Sequence, residues 1–310
     1  MKIPLIILAT FLSAIHLCAQ PAVVGAGYSA PYPIKVAPGQ LVTLYVSGID
    51  TTLTSRVSAE SLPLPYSLEG ISVTIDELIP PQSLKEKVPL LAVAPISAAF
   101  AGAPASNTIA VTVQIPYYIR TTSYISPLTP PPATLTVYRY GIAATTVAIA
   151  PVVDQVHIAT TCDSNIATPV AGALCRPLIT HADGSLVTPD QPAHPSELLV
   201  LYAFGLGAAP PGVVTGEASP AQPETMTLLP RLLFGPAIST RSGERNSVEP
   251  VFAGLAAGFA GLYQVNFFAP QPPPQFAPAD CTTFTSPNGN VAVTLSGQVS
   301  ADTASFCVYP

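Results

Sequence analysis

Three histidines stand beyond residue 20 of the 310-residue chain: His157, His181 and His194. A nucleophilic hydrolase needs a Ser or Cys beside such a base, with an acid to orient it. No G-x-S-x-G elbow occurs, so a triad would have to assemble from distant segments. Paired carboxylates, the groups of glycoside hydrolysis, are equally thin. Only Asp76 and Glu77 are adjacent, and neighbours in a strand point to opposite faces. Calcium needs clustered oxygen ligands; Asp154, Asp163 and Asp183 share one segment, but no D-x-D-x-D loop holds them. The stretch "GLGAAPPG" (205–212) has the look of a phosphate-binding glycine loop. Pro210 takes its third glycine position, however, and no helix can follow the Pro pair. No catalytic set, metal-ligand set or cofactor pattern emerges. The histidines read as turn and loop residues, with a cryptic hydrolase as an alternative.

Tyrosine offers the richer surface chemistry. Tyr117, Tyr118, Tyr124, Tyr138 and Tyr140 fall within 24 residues, beside Arg120 and Arg139. Tyr and Arg supply broad amphipathic contact area at interfaces. If both segments are strands, Tyr118, Arg120 and Tyr124 share one face, and Tyr138 and Tyr140 share one. The candidate ligand surface is therefore Tyr118, Arg120, Tyr124, Tyr138 and Tyr140, suited to stacking on sugars or packing on a protein. The plainer reading is that these are ordinary strand tyrosines.

Residues 1–19 read as a secretory signal. Lys2 supplies the positive start, Ile3–Leu17 the apolar stretch, and Ala19 the small residue before a cleavage point at Gln20. The stretch is shorter than the ~20 apolar residues of a membrane span, so none is expected after cleavage. Loss of Cys18 leaves Cys162, Cys175, Cys281 and Cys307. An even count in an exported chain points to disulfides. Three pairings exist, and the sequence-local one, Cys162–Cys175 with Cys281–Cys307, is favoured. Zinc lacks its usual C-x-x-C spacing. The expected setting is secreted or extracytoplasmic.

Only 9% of residues are charged, with a formal net charge of −6, so no basic footprint for nucleic acid exists. The 37 prolines leave little room for long helices. Val, Ile, Thr and Tyr suit pleated strands, and the expectation is an all-β chain. "ISVTID" (71–76) and "TIAVTVQI" (108–115) alternate with period two. Asp183-Gly184 and Asn288-Gly289 carry hairpin chemistry. "SPLTPPPA" (126–133) and "APQPPPQFAP" (269–278) read as stiff, extended connections.

A repeat underlies these strands. "PGQLVTLYVSGI" (38–49) and "PSELLVLYAFGL" (195–206) are identical at five of twelve positions, offset by 157 residues. "VTVQIP" (111–116) matches "VNFFAP" (265–270) at an offset of 154, and "TLTVYRYG" (134–141) matches "NVAVTLSG" (290–297) at 156. Such a period is a domain duplication, far longer than the ~20–50 residues of solenoid repeats. Two copies of one β-sandwich are expected, at 22–150 and 190–310, joined by a disulfide-bearing segment at 151–189. In "GLYQVNFFAP" (261–270), Tyr263, Val265, Phe267 and Ala269 should face a core, and Gln264 and Asn266 the opposite side.

"ADGSLVT" (182–188), "LLVLYAFGLG" (198–207) and "FAGLAAGFAGLYQVNFFAP" (252–270) in the second half, with "APGQLVTLYVSGI" (37–49), "LPLPYSLEGISVTI" (62–75) and "PLLAVAP" (89–95) in the first, carry a family resemblance. Together they resemble the Solibacter uncharacterised C-terminal domain family, found in exported proteins of soil Acidobacteria. The resemblance covers nearly all of the chain after residue 19. It implies tandem immunoglobulin-like sandwiches in an extracytoplasmic setting and transfers no catalytic residue. Two departures stand out: Ser196 where the family has Gly, as Gly39 does in the first half, and an expanded loop at 239–250. The expected role is structural or adhesive at the cell envelope, with an envelope protein or polysaccharide as partner. A carbohydrate-binding module is the nearest alternative.

Overall fold

In a computed structural model, the structure describes residues 20–27, 34–49, 52–79, 82–96, 107–121, 133–163, 165–166, 174–207, 210–222, 224–226, 229–234, 247–270, 281, 289–295 and 298–308. Residues 1–19, Tyr124, most of both Pro-rich connections, most of the 239–250 loop and Asn288 lie outside them. The described residues form strands without α-helices.

In the N-terminal sandwich, one sheet contains β1 (Ala22–Ala26), β3 (Leu41–Ser47), β4 (Val57–Ser58), β7 (Leu90–Pro95) and β8 (Thr108–Gln114), in the order β1-β3-β8-β7-β4. The other contains β2 (Ile34–Val36), β5 (Ile71–Ile79), β6 (Gln82–Val88), β9 (Ala133–Arg139) and β10 (Ile142–Pro151), in the order β2-β10-β9-β5-β6. Leu44, Val46, Val111 and Val113 of the first meet Ile71, Val73, Ile75, Leu135 and Val137 of the second in one buried core. These are the alternate positions that period-two patterning assigns to one face.

The C-terminal sandwich has β11 (His157–Ile158), β12 (Ile179–His181), β13 (Leu198–Phe204), β16 (Phe252–Leu255) and β17 (Tyr263–Phe268) in one sheet. Its other sheet contains β14 (Arg231–Phe234), β15 (Ser247–Val248), β18 (Gly289–Leu295) and β19 (Gln298–Phe306). Residues 151–189 thus supply two strands, β11 and β12, that pair with β13. Leu199, Leu201, Tyr263, Val265 and Phe267 pack against Leu232, Val291, Val293 and Phe306.

Strand order is the same in both sandwiches: β1-β3-β8-β7 corresponds to β11-β13-β17-β16, and β10-β9-β5-β6 to β19-β18-β14-β15. Register is shared too. Leu44 opposes Val111 in the first, and Leu201 opposes Val265 in the second. The parallel ladder that sets Val36 beside Pro151 recurs as the parallel bridge of Ala193 with Val308. The offsets read from sequence therefore coincide with equivalent places in the fold.

β17 shows the expected alternation. Tyr263, Val265, Phe267 and Ala269 are buried, while Gln264 and Asn266 are half-buried and bonded to each other, Gln264 Nε2 to Asn266 Oδ1 at 2.8 Å. Val265→Asp should then destabilise by about 4 kcal/mol or prevent folding, because an unpaired carboxylate enters the core. Asn266→Asp should cost roughly 1 kcal/mol. Chemical denaturation of both variants checks the order.

Candidate binding clefts along the seam

The two sandwiches meet along a polar seam built from a few residues whose backbones come unusually close. Gln114, at the end of β8, is fully buried. Its Oε1 accepts the Gly216 N–H at 2.6 Å and its Nε2 donates to Gly39 O at 3.3 Å. Gln40 Nε2 donates to Gln155 O at 3.3 Å, while its Oε1 accepts the Ala37 N–H at 2.8 Å. Leu64 N donates to Gly216 O at 2.7 Å, and Tyr117 N to Thr215 Oγ1 at 3.1 Å. Burial holds the Tyr117 hydroxyl well above the usual tyrosine pKa, although bonds to the Gly261 backbone and to Gln114 work against the shift.

Two glycines make the approach possible. A Cβ on Gly39 would stand 1.9 Å from Tyr117 Cε1, and one on Gly261 would stand 2.5 Å from Gly39 O. Both have positive φ, 71° and 67°, which side chains disfavour.

Two hollows open on this seam. The first, of about 520 Å³, is lined by Tyr66, Tyr117 and Tyr118, four prolines (Pro89, Pro116, Pro210 and Pro211), Glu86, Lys87 and the 212–215 turn. Its volume lies within the range of small-ligand sites. Tyr66 and Tyr118 are 50% and 54% exposed. The Tyr118 hydroxyl donates to the Glu86 carboxylate, which fixes the ring. The second, of about 750 Å³, is apolar. Leu41, Leu62, Leu64 and Leu91 line it from the N-terminal sandwich, and Leu178, Tyr202, Phe204 and Leu262 from the other.

Of the predicted surface, Tyr124 lies outside the described residues. The remaining four do not share one face, and each has different neighbours. Residues 117–121 form a turn and loop after Pro116 instead of a strand, so Tyr118 and Arg120 are not related by strand alternation. Pro116 has no N–H to continue the ladder. Arg120 is exposed, and its N–H donates to the buried Glu77 carboxylate at 3.1 Å. Tyr138 lies beside Lys85, whose Nζ is 5.5 Å from the ring centre. Lys85 and Glu86 are neighbours on β6, so Tyr138 and Tyr118 approach that edge strand from opposite faces. Tyr140 occupies a two-residue turn with Gly141, with φ of 47° and 79°, and has left the strand alternation. Its ring is stacked under Arg139, 4.0 Å away, and covers Gly70.

Tyr66 and Glu86 fall outside the tyrosine cluster seen in sequence. The signal for Tyr66 was its place in "LPLPYS", where each proline restricts the backbone of the residue before it.

The histidines are tied into loops. His157 Nε2 lies 2.9 Å from Asp163 Oδ2, and Asp163 also accepts the Thr160 N–H and hydroxyl. His181 Nδ1 lies 2.5 Å from Glu197 Oε1, and its Nε2 faces Gln191 O at 3.1 Å. Both ring nitrogens of His181 therefore face acceptors, which suits the imidazolium. Ring burial opposes that charge, but Glu197, the Gln191 carbonyl and Asp183 outweigh it and raise the His181 pKa. Burial likewise opposes ionisation of Glu197, yet His181 and the His194 N–H lower its pKa. Asp76 and Glu77 point to opposite sides of β5, Glu77 into the interior.

Cys162 pairs with Cys175 and Cys281 with Cys307, with Cα–Cα distances of 5.0 and 5.5 Å. The first closes the loop between β11 and β12 beside the Thr160–Pro177 bridge. Among the described residues, no cluster of three or more His, Cys, Asp or Glu is placed to hold a metal. No protein-family model matches the chain, and no curated protein matches its sequence.

Gly39 and Ser196 occupy equivalent turns, with φ of 71° and 64°, and each donates its N–H to the end of the paired strand, Ile115 O or Ala269 O. Gly39→Ser should destabilise by about 2–4 kcal/mol, from strain plus displacement of Tyr117. Ser196→Gly should change stability by less than about 1 kcal/mol. Denaturant titration of both variants compares the two sites directly.

The His181–Glu197 pair predicts a pH signature. Its contribution is fully present below 6.5 and is lost as pH rises through the raised folded pKa of His181. On the acid side it fades as pH falls through the Glu197 value, itself below 4.5. The melting-temperature gap between the native protein and His181→Gln should be widest between 4.5 and 6.5 and narrow at higher pH. Asp183, Asp190 and His194 line the same hollow as the pair and are left in place by the substitution.

Proposed function

We propose that this protein is an exported, non-enzymatic β-sandwich protein with a structural or adhesive role at the cell envelope. The observation that carries the reading is the seam. Buried amides and backbone contacts join two sandwiches into one block, and that block presents fixed aromatic side chains at an open cleft. A rigid display of aromatic rings suits binding better than it suits turnover.

Three further features support it. Two disulfides fit an oxidising compartment. No helix among the described residues is long and apolar enough to cross a membrane. His181 and His157 hold loops together through carboxylates, which turns the most base-like residues to structural use. The sequence resemblance to the Solibacter C-terminal domain family, and the immunoglobulin-like sandwich it implies, point to the same exported setting.

Fractionation of native cells tests the proposal. The protein should appear in the envelope or medium, with Gln20 at its N-terminus and no free thiol. Cross-linking should then join it to envelope components, and a broad esterase and glycosidase panel should show no turnover. Retention in the cytoplasm with free thiols, or turnover of any panel substrate, overturns it.

A further inference from the structure

We infer that the tyrosine-lined cleft on the seam is a saccharide-binding site in which Tyr66 and Tyr118 stack on sugar rings and Glu86 and Lys87 take the hydroxyls. This rests on the binding role proposed above and gives it a ligand class.

Ring presentation is the first argument. Tyr66 and Tyr118 are each about half exposed in one open hollow, although large aromatic side chains gain most from burial. The Tyr118 ring is tied down, and so is the chain that presents Tyr66. The Tyr118 hydroxyl is tied to Glu86, and Tyr117, its neighbour in the chain, is anchored to Thr215, Gly261 and Gln114. Tyr66 sits one residue after Pro65, whose carbonyl accepts the Leu90 N–H at 2.7 Å. Rings held in place before binding lose little conformational entropy when a ligand arrives.

The hydrogen-bonding inventory selects the ligand. Glu86 is acceptor-only and Lys87 donor-only, while each tyrosine hydroxyl does both. A ligand filling this cleft must offer donors to Glu86 and acceptors to Lys87. Sugar hydroxyls are both at once, and the C–H faces of a pyranose match the apolar faces of the tyrosines and of the surrounding prolines. A Pro-rich peptide would also lie against tyrosines. Its proline nitrogens carry no hydrogen, however, so it would cover Glu86 without giving it a donor, which is costly. One acid and one lysine also leave the cleft without a net charge that would demand a charged sugar.

The cleft requires both sandwiches. Tyr66, Glu86 and Tyr118 come from the first, and the wall of Pro210–Thr215 from the second. Neither sandwich alone carries the site.

The test uses the purified full chain after residue 19 and four soluble neutral polysaccharides: a cellulose-type β-glucan, a starch-type α-glucan, xylan and galactomannan. Affinity electrophoresis and titration calorimetry should show saturable binding to at least one. Tyr118→Ala and Tyr66→Ala should each weaken it by about tenfold or more, as loss of an anchor does. Tyr140→Ala, at a ring still more exposed but outside the cleft, should bind like the native protein. Glu86→Gln should weaken binding with an unchanged melting temperature, which separates loss of an acceptor from loss of fold. Absence of saturable binding to all four overturns the inference, as does binding indifferent to both tyrosines. Tighter binding of an oligoproline peptide, abolished by Tyr118→Ala, also overturns it, in favour of peptide docking. Envelope location, read by fractionation, survives either failure, so the two proposals fall separately.

Discussion

The Gln114 side chain has both ends of its amide in use across the seam. Its oxygen takes the Gly216 N–H and its nitrogen reaches Gly39 O, so one neutral group bonds to the backbone of both sandwiches. A buried amide left without partners costs on the order of 1–3 kcal/mol, so this geometry is favoured only when the sandwiches are docked. Much else follows from that docking. Gly39 must be bare because Tyr117 lies over it, and Gly261 must be bare because Gly39 O lies over it. Tyr117 in turn fixes the position of Tyr118, and with it one wall of the aromatic cleft.

The two halves share a scaffold and have parted at the seam. Gln40 and Glu197 are equivalent residues in equivalent turns. Each accepts the N–H three residues earlier through one side-chain oxygen, Ala37 for Gln40 and His194 for Glu197. Their other ends differ. The Gln40 nitrogen crosses to Gln155 O, whereas the second Glu197 oxygen meets His181. An amide supplies the donor that a carbonyl needs, and a carboxylate supplies the acceptor that an imidazolium needs. Gln114 has diverged as well. It is buried in the seam, while its counterpart Phe268 is half exposed on the second sandwich. The same turn and strand end thus serve a joint in one copy and a surface in the other.

The scaffold was far easier to read from sequence than the site. Alternation along β17 and the pairing of nearby cysteines rest on local patterns, and each matches the structure. The site rests on meetings between distant segments. His181 and Glu197 are sixteen residues apart, and Gln114 and Gly216 are one hundred and two. No period links such pairs. The tyrosine cluster shows the opposite failure: its members are close in sequence, but Pro116 ends one strand and a positive φ at Tyr140 ends the other. Extending strand alternation past those points groups side chains that the backbone sends in different directions.

The parallel ladder between β2 and β10 has a consequence for how the halves find each other. It sets the last residue of β10 beside Val36, and Val152 N–H then bonds to Val36 O. The chain therefore leaves the first sandwich next to the turn that opens its own β3. Gln40 lies only four positions after Val36, and Gln155 four positions after Pro151. The second sandwich is tethered at the rim of the surface it must dock on, by a linker too short to let it wander. Docking is then a first-order event at a high effective concentration. Individually modest hydrogen bonds suffice to keep such a joint closed, and after any transient opening it re-forms at a rate independent of how dilute the protein is.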